Sequence, residues 1–144
     1  MADTFSKAKR SEVMARIRGK DTRPEIAVRR ALHRLGHRFR IHVMSLPGRP
    51  DIVLAKHRTI IQVKGCFWHS HFCLGGRVPP GRYWRLKFAR NKSRDQSNDR
   101  RLRALGWRVK TIWECTVRRS TDADLQTRIL RLLAPLPDDR PRGR

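Results

Sequence analysis

Two groups of residues between positions 46 and 73 have types and spacings suited to chemistry. In the first, Asp51 follows Pro50 and opens a short apolar run, Ile52, Val53 and Leu54. A turn is expected at 55–58. The β-branched run from Thr59 to Lys64 then reads as a second strand, ended by Gly65. Successive strand side chains point to opposite faces, so Gln62 and Lys64 share one face. If the two runs pair as a hairpin, Asp51 lies beside that face at one end. A carboxylate, a carbonyl-bearing amide and an ammonium group then meet at one point. Phosphodiester hydrolysis needs such a set: oxygen ligands for Mg²⁺, and a cation near the scissile phosphate or the attacking water.

The second group is the string GCFWHSHFC at 65–73. Cys66, Cys73 and the distant Cys115 are the only cysteines, and with one imidazole they make a ligand set for a closed, tetrahedral, structural Zn²⁺ site. Spacing alone leaves open whether His69 or His71 is the fourth ligand. The rival reading is ordinary buried cysteine with an incidental histidine. Phe67 and Trp68 lie inside this string, and core packing is the ordinary reading of adjacent large aromatics. Arg49, in the 46–50 loop beside Asp51, places a guanidinium where a phosphate would lie.

Pro50-Asp51 followed by Gln62-x-Lys64 resembles the broad PD-(D/E)xK nuclease pattern, with glutamine in the acidic position. The fuller string LPGRPD, then GCFWH-x-H-x-C, then Trp107 and Trp113-Glu114-Cys115, is similar to the very short patch repair (Vsr-type) mismatch endonucleases, from about Arg10 to Cys115. The resemblance implies a restriction-endonuclease-like α/β core with a mixed, mostly antiparallel central sheet flanked by helices and one structural zinc. It implies a Mg²⁺-dependent endonuclease that nicks one strand of double-stranded DNA next to a T:G mismatch. Asp51 and the backbone carbonyl of Val63 would hold Mg²⁺, with Gln62 as a further candidate. Lys64 would stabilise charge, His69 would move a proton, and Glu25, at the matching T-x-P-E position, would hold a metal-bound water. Cys66, His71, Cys73 and Cys115 would hold zinc. Phe67, Trp68 and Trp84 would wedge into the stack, with Lys87, Asn91 and Arg49 on the DNA. The chain departs from the family in carrying Lys64 where histidine is usual, Gln62 where an apolar residue is usual, and a shorter loop at 75–81. Two alternatives follow: a less selective nicking or restriction-type nuclease, and a non-catalytic, zinc-stabilised DNA-binding module. Asp51 and Lys64 together favour an enzyme.

The elements that must position these residues are legible in outline. Thr22 is a good N-cap, Pro24 suits a first turn, and Val28, Ala31, Leu32 and Leu35 form an apolar stripe ended by Gly36. Glu25 thus also reads as the far half of a capping box. Residues 37–43 alternate, with Phe39, Ile41 and Val43 predicted on one face of a half-buried strand that extends the hairpin to an antiparallel meander. Residues 83–105 read as a strongly charged helix ended by Gly106, and 107–113 as the last strand. Thr121 caps a final helix burying Leu125, Ile129, Leu132 and Leu133.

At 144 residues the chain is expected to be one domain spanning 21–134, with a basic N-terminal arm over 1–20 and a disordered basic tail over 135–144. Thirty-five Lys and Arg against twelve Asp and Glu give a net charge of +23. Self-repulsion on that scale calls for a polyanion, and nucleic acid fits better than an anionic membrane. No stretch approaches the roughly 20 apolar residues of a spanning helix, and no apolar signal follows Met1. The expectation is a cytoplasmic, nucleoid-associated monomer.

Overall fold

The computed structural model describes residues 21–67 and 81–135. The expected arm at 1–20, the turn at 68–80 and the tail from 136 onward lie outside the described residues. Helix α1 (Arg23–Arg34) leads into strand β1 (Arg40–Ile41), then β2 (Ile52–Leu54), a single 3-10 turn (Ala55–His57) and β3 (Thr59–Lys64). Helix α2 (Arg82–Ala104), strand β4 (Arg108–Trp113) and helices α3 (Glu114–Arg119) and α4 (Asp122–Leu133) follow. The sheet order is β1-β2-β3-β4. The first three strands form an antiparallel meander, and β4 runs parallel to β3. The sheet is mixed and mostly antiparallel, as expected. The parallel pair needs a crossover, and α2 supplies it.

Alternation along β2 and β3 sends side chains to two cores. Ile52, Leu54, Ile61 and Val63, with Ile112 of β4, meet Val28 and Leu32 of α1 and Leu125, Ile129 and Leu133 of α4. Val53 and Ile60 face the other way, onto Val43 and Leu102 of α2, with Trp107 and Val109 packed beside them. Each fully buried Leu or Ile contributes about 1.5–3 kcal/mol, so these two layers fix the sheet between α1/α4 and α2. Asp51, Gln62 and Lys64 continue the Val53/Ile60 face by the same parity, which puts them beneath α2.

Arginines tie the helix ends to the sheet. Arg58 donates from Nη2 to the Leu105 carbonyl at 3.1 Å and lies 4.8 Å from the Trp107 ring centre, closing the C-terminus of α2. Arg108 donates to the carbonyls of Leu132 and Ala134, both at 2.9 Å, at the end of α4.

One expectation fails here. The alternating strand at 37–43 is only two residues long, and Phe39, Ile41 and Val43 do not share a face. His42 adopts a left-handed backbone (φ 45°), which breaks the alternation. Phe39 packs on the α1/α4 core, Val43 on the α2 core, and Ile41 is exposed. Helix α3 was also absent from the expected elements. It is a single six-residue turn directly after β4.

Candidate active site at the end of the hairpin

The β2–β3 register pairs Ile52 with Ile61, so Asp51 and Gln62 come next to each other one step beyond. The Asp51 carboxylate accepts the backbone N–H of Val63 on Oδ2 at 2.9 Å, and Gln62 Oε1 accepts the backbone N–H of Asp51 at 3.3 Å. Each residue thus fixes the other's strand through a side-chain bond to backbone. The result gathers a carboxylate, an amide oxygen and the β3 backbone within one hydrogen-bonded ring. The chemistry of these donors is all hard oxygen, which suits Mg²⁺ rather than a softer metal. Asp51 is carried by the 46–50 loop, whose tight path uses left-handed backbone at Gly48 (φ 76°) and Arg49 (φ 49°). For Arg49 this conformation costs about 1–2 kcal/mol, the kind of local strain that accumulates at working sites. Its side chain is exposed beside Asp51.

Lys64 lies one alternation beyond Gln62 on the same face and is only 14% exposed. Its Nζ is 4.0 Å from Asp95 Oδ2 of α2 and 6.0 Å from the centre of the Trp113 ring, its neighbour across the parallel pair. Asp95 is a site residue that the sequence reading passed over. The signal was there in the inward spacing of α2, which places position 95 with 84, 88, 91 and 102 on one stripe.

Glu25 is 3% exposed and stands at the start of α1. Its backbone N–H donates to Thr22 Oγ1 at 3.4 Å, completing half of the expected capping box. The other half is displaced by one residue, because Glu25 Oε2 accepts from the N–H of Asp21 at 3.1 Å rather than from Thr22. The same oxygen meets Arg29 Nη2 at 2.9 Å and His42 Nε2 at 3.2 Å. Asp21, Glu25 and His42 bring three metal-type donor atoms within 4.8 Å of one another. The Arg29 guanidinium already bridges that trio, since it also holds Asp21 Oδ1 at 2.9 Å. His42 joins this group to the hairpin, because its backbone N–H reaches the Asp51 carbonyl at 3.3 Å.

Of the four expected zinc ligands, two are described. Cys66 is buried, and its Sγ accepts the backbone N–H of Cys115 at 3.3 Å, so the end of β3 and the start of α3 are brought together. His71 and Cys73 lie outside the described residues, as do Trp68 and His69, the expected proton carrier. Glu114 Oε1 accepts from Arg118 Nη2 at 3.1 Å within α3.

Phe67, Trp84 and Phe88 form one aromatic cluster, with Phe67 edge-on to Trp84 at 5.5 Å and to Phe88 at 5.4 Å, and Trp84 stacked on Phe88 at 5.8 Å. Trp84 is only 5% exposed and Tyr83 next to it 38%. Asn91, expected on the DNA, is 6% exposed and accepts from Arg94 Nη2 at 2.9 Å. Both positions fall on the inward stripe of α2. Arg90, Lys92 and Arg94 point outward and Lys87 is half-buried at the border.

The family model described as DNA mismatch endonuclease Vsr matches residues 2–74. Type II nicking enzyme V.XorIIP of Xanthomonas oryzae pv. oryzae is 44% identical over 94% of this chain and 99% of its own length. Type II nicking enzyme V.NmeAIP of Neisseria meningitidis is 37% identical over 96% and 99%. DNA mismatch endonuclease Vsr of Escherichia coli is 42% identical over 90% of this chain and 86% of its own. With such coverage, and with the carboxylate and amide oxygens already gathered at the hairpin end, the chain belongs to the Vsr family of DNA mismatch endonucleases, hydrolases of DNA phosphodiester bonds.

Proposed function

We propose that this protein nicks one strand of duplex DNA beside a T:G mismatch in very short patch repair, with Mg²⁺ as the catalytic ion. The observation that carries the reading is the mutual clamp of Asp51 and Gln62 at the end of the hairpin, which holds a carboxylate and an amide oxygen against adjoining backbone. Mg²⁺ held there by Asp51 and the Val63 carbonyl, with Gln62 as a further ligand, supplies Lewis-acid stabilisation of charge developing on the phosphate. The protein's own residues do the rest. Lys64 presents a compact ammonium group on the same face and offsets negative charge as the phosphate becomes pentacoordinate. His69 moves the proton, either from the attacking water or to the leaving oxygen. Arg49 holds a neighbouring phosphate oxygen. Glu25, oriented by Arg29 and His42, helps to hold a water.

Zinc fits the thiolate-rich set of Cys66, Cys73 and Cys115 with His71. Its role is to fix the turn that carries Phe67, Trp68 and His69. The approach of Cys115 to Cys66 supports that reading. The charge of +23 supplies sequence-independent grip on the backbone. Selectivity then comes from aromatic insertion, because unstacking costs a few kcal/mol and least at a mispair.

The test is a nicking assay on duplexes that are matched or carry each mismatch in turn, with Mg²⁺ or with chelator. A nick confined to one strand of the T:G duplex and dependent on Mg²⁺ is expected. Equal cutting of matched DNA would instead identify a less selective nuclease. No cutting of any duplex would leave a DNA-binding module.

A further inference from the structure

Helix α2 turns Trp84, Phe88, Asn91, Asp95, Asn98 and Leu102 toward the sheet at spacings of four and three. The ends of this stripe are apolar and its middle is polar. Packing alone calls for an apolar residue throughout, since an inward carboxylate loses hydration unless a partner offsets the loss. Two of the stripe's three polar members, Asp95 and Asn98, each meet a part of the hairpin end. A methyl built on Gly48 would stand 2.6 Å from Asn98 Nδ2, so Asn98 lies against the loop that carries Asp51. Asp95 Oδ2 stands 4.0 Å from Lys64 Nζ, with the side chains 22% and 14% exposed.

We infer that Asp95 is a positioning residue that holds the Lys64 ammonium over the cleavage centre, so that the DNA-facing helix α2 sets the geometry of the catalytic strand. This rests on the reading of Lys64 as a charge stabiliser. A lysine stem has four flexible carbons, and a point charge acts at one phosphate only if something fixes its tip. The Asp95 carboxylate at 4.0 Å and the Trp113 ring at 6.0 Å both lie beside that tip. At 4.0 Å the pair is held by charge without a hydrogen bond, which leaves the three ammonium N–H groups to face phosphate oxygens. The outward side of the same helix carries Arg90, Lys92 and Arg94, so docking of the backbone there and placement of Lys64 are coupled through one rigid element.

The experiment is a double-mutant cycle on single-turnover nicking of a T:G duplex, using Asp95→Asn, Lys64→Met and both together, with Asp95→Glu as the conservative replacement. Asp95→Asn is expected to lower the rate about 10- to 100-fold, the scale of losing an orienting partner, at unchanged DNA affinity. It should have no further effect in Lys64→Met, and Asp95→Glu should recover part of the rate. An equal loss in both Lys64 backgrounds would overturn the assignment. The second arm uses the unliganded full chain and needs no cleavage. The ammonium resonance of Lys64, assigned with Lys64→Arg, should shift and broaden in Asp95→Asn. An unchanged resonance overturns the positioning even if the wild-type enzyme nicks nothing, in which case the proposed function has failed separately.

Discussion

Gln62 and His57 show how single side chains on one hairpin serve different ends. Gln62 holds the Asp51 backbone through a 3.3 Å bond, so Gln62→Leu leaves the strand pairing intact but loosens the carboxylate's support. It is expected to raise the Mg²⁺ concentration for half-maximal nicking about tenfold, read from a metal titration of the nicking rate. His57, in the 3-10 turn at the other end of β2, has its pKa lowered by burial first and then by the positive neighbours His37, Lys56 and Arg108. The fold therefore disfavours its protonated form. The unfolded chain takes up a proton in the usual imidazole range while the folded chain resists until lower pH, so stability held above that range falls as pH drops through His57's lowered value. His57→Gln should flatten the fall in melting temperature between roughly pH 7 and pH 5. A parallel fall in variant and wild type would assign acid sensitivity elsewhere.

The 46–50 loop and helix α2 carry the site, and both show what was and was not legible in the chain. The hairpin could be read because β-branched runs of period two bracket a turn, and the same parity put Gln62 and Lys64 on one side. The helix caps at Thr22 and Thr121 were equally plain, the second with its full capping box. The left-handed turn at His42 was not legible, since nothing in an alternating run announces that one residue will turn its ring to a buried glutamate. Asp95 was legible only in part: its spacing from Trp84, Phe88 and Leu102 puts it on the inward side of α2, but charge on a long basic helix reads as solvated until a neighbour across the sheet is known. Gly48 is a case where shape decides. Gly48→Ala puts a methyl against Asn98 in a backbone conformation that L residues rarely adopt, so it should lower both melting temperature and nicking rate, at a cost of about 1–2 kcal/mol for the backbone alone. Trp84→Ala removes a side chain stacked on Phe88 and is expected to cost about 3–5 kcal/mol in chemical denaturation. Trp84→Phe keeps most of the packing and so isolates any part Trp84 plays in telling mismatched from matched duplex.

At the scale of the molecule, one sheet is held between α1/α4 and α2, and the two ends of the chemistry, hairpin and cysteine turn, are joined through β3. Zinc at Cys66 and Cys115 would fasten the end of β3 to the start of α3, so metal binding would contribute to folding. One tightly held zinc per chain is expected by elemental analysis, lost in Cys115→Ser together with a lower melting temperature. Folded protein without zinc would reject the site. A net charge of +23 should keep DNA affinity nearly independent of any one site residue, with affinity falling steeply as salt rises. That separation makes the central claim, that the hairpin end is the cleavage centre, directly measurable. In single-turnover nicking of a T:G duplex by Asp51→Asn, with binding measured on the same samples, the account predicts a loss of about a hundredfold or more at nearly unchanged affinity. Nicking at the wild-type rate in that variant would contradict it.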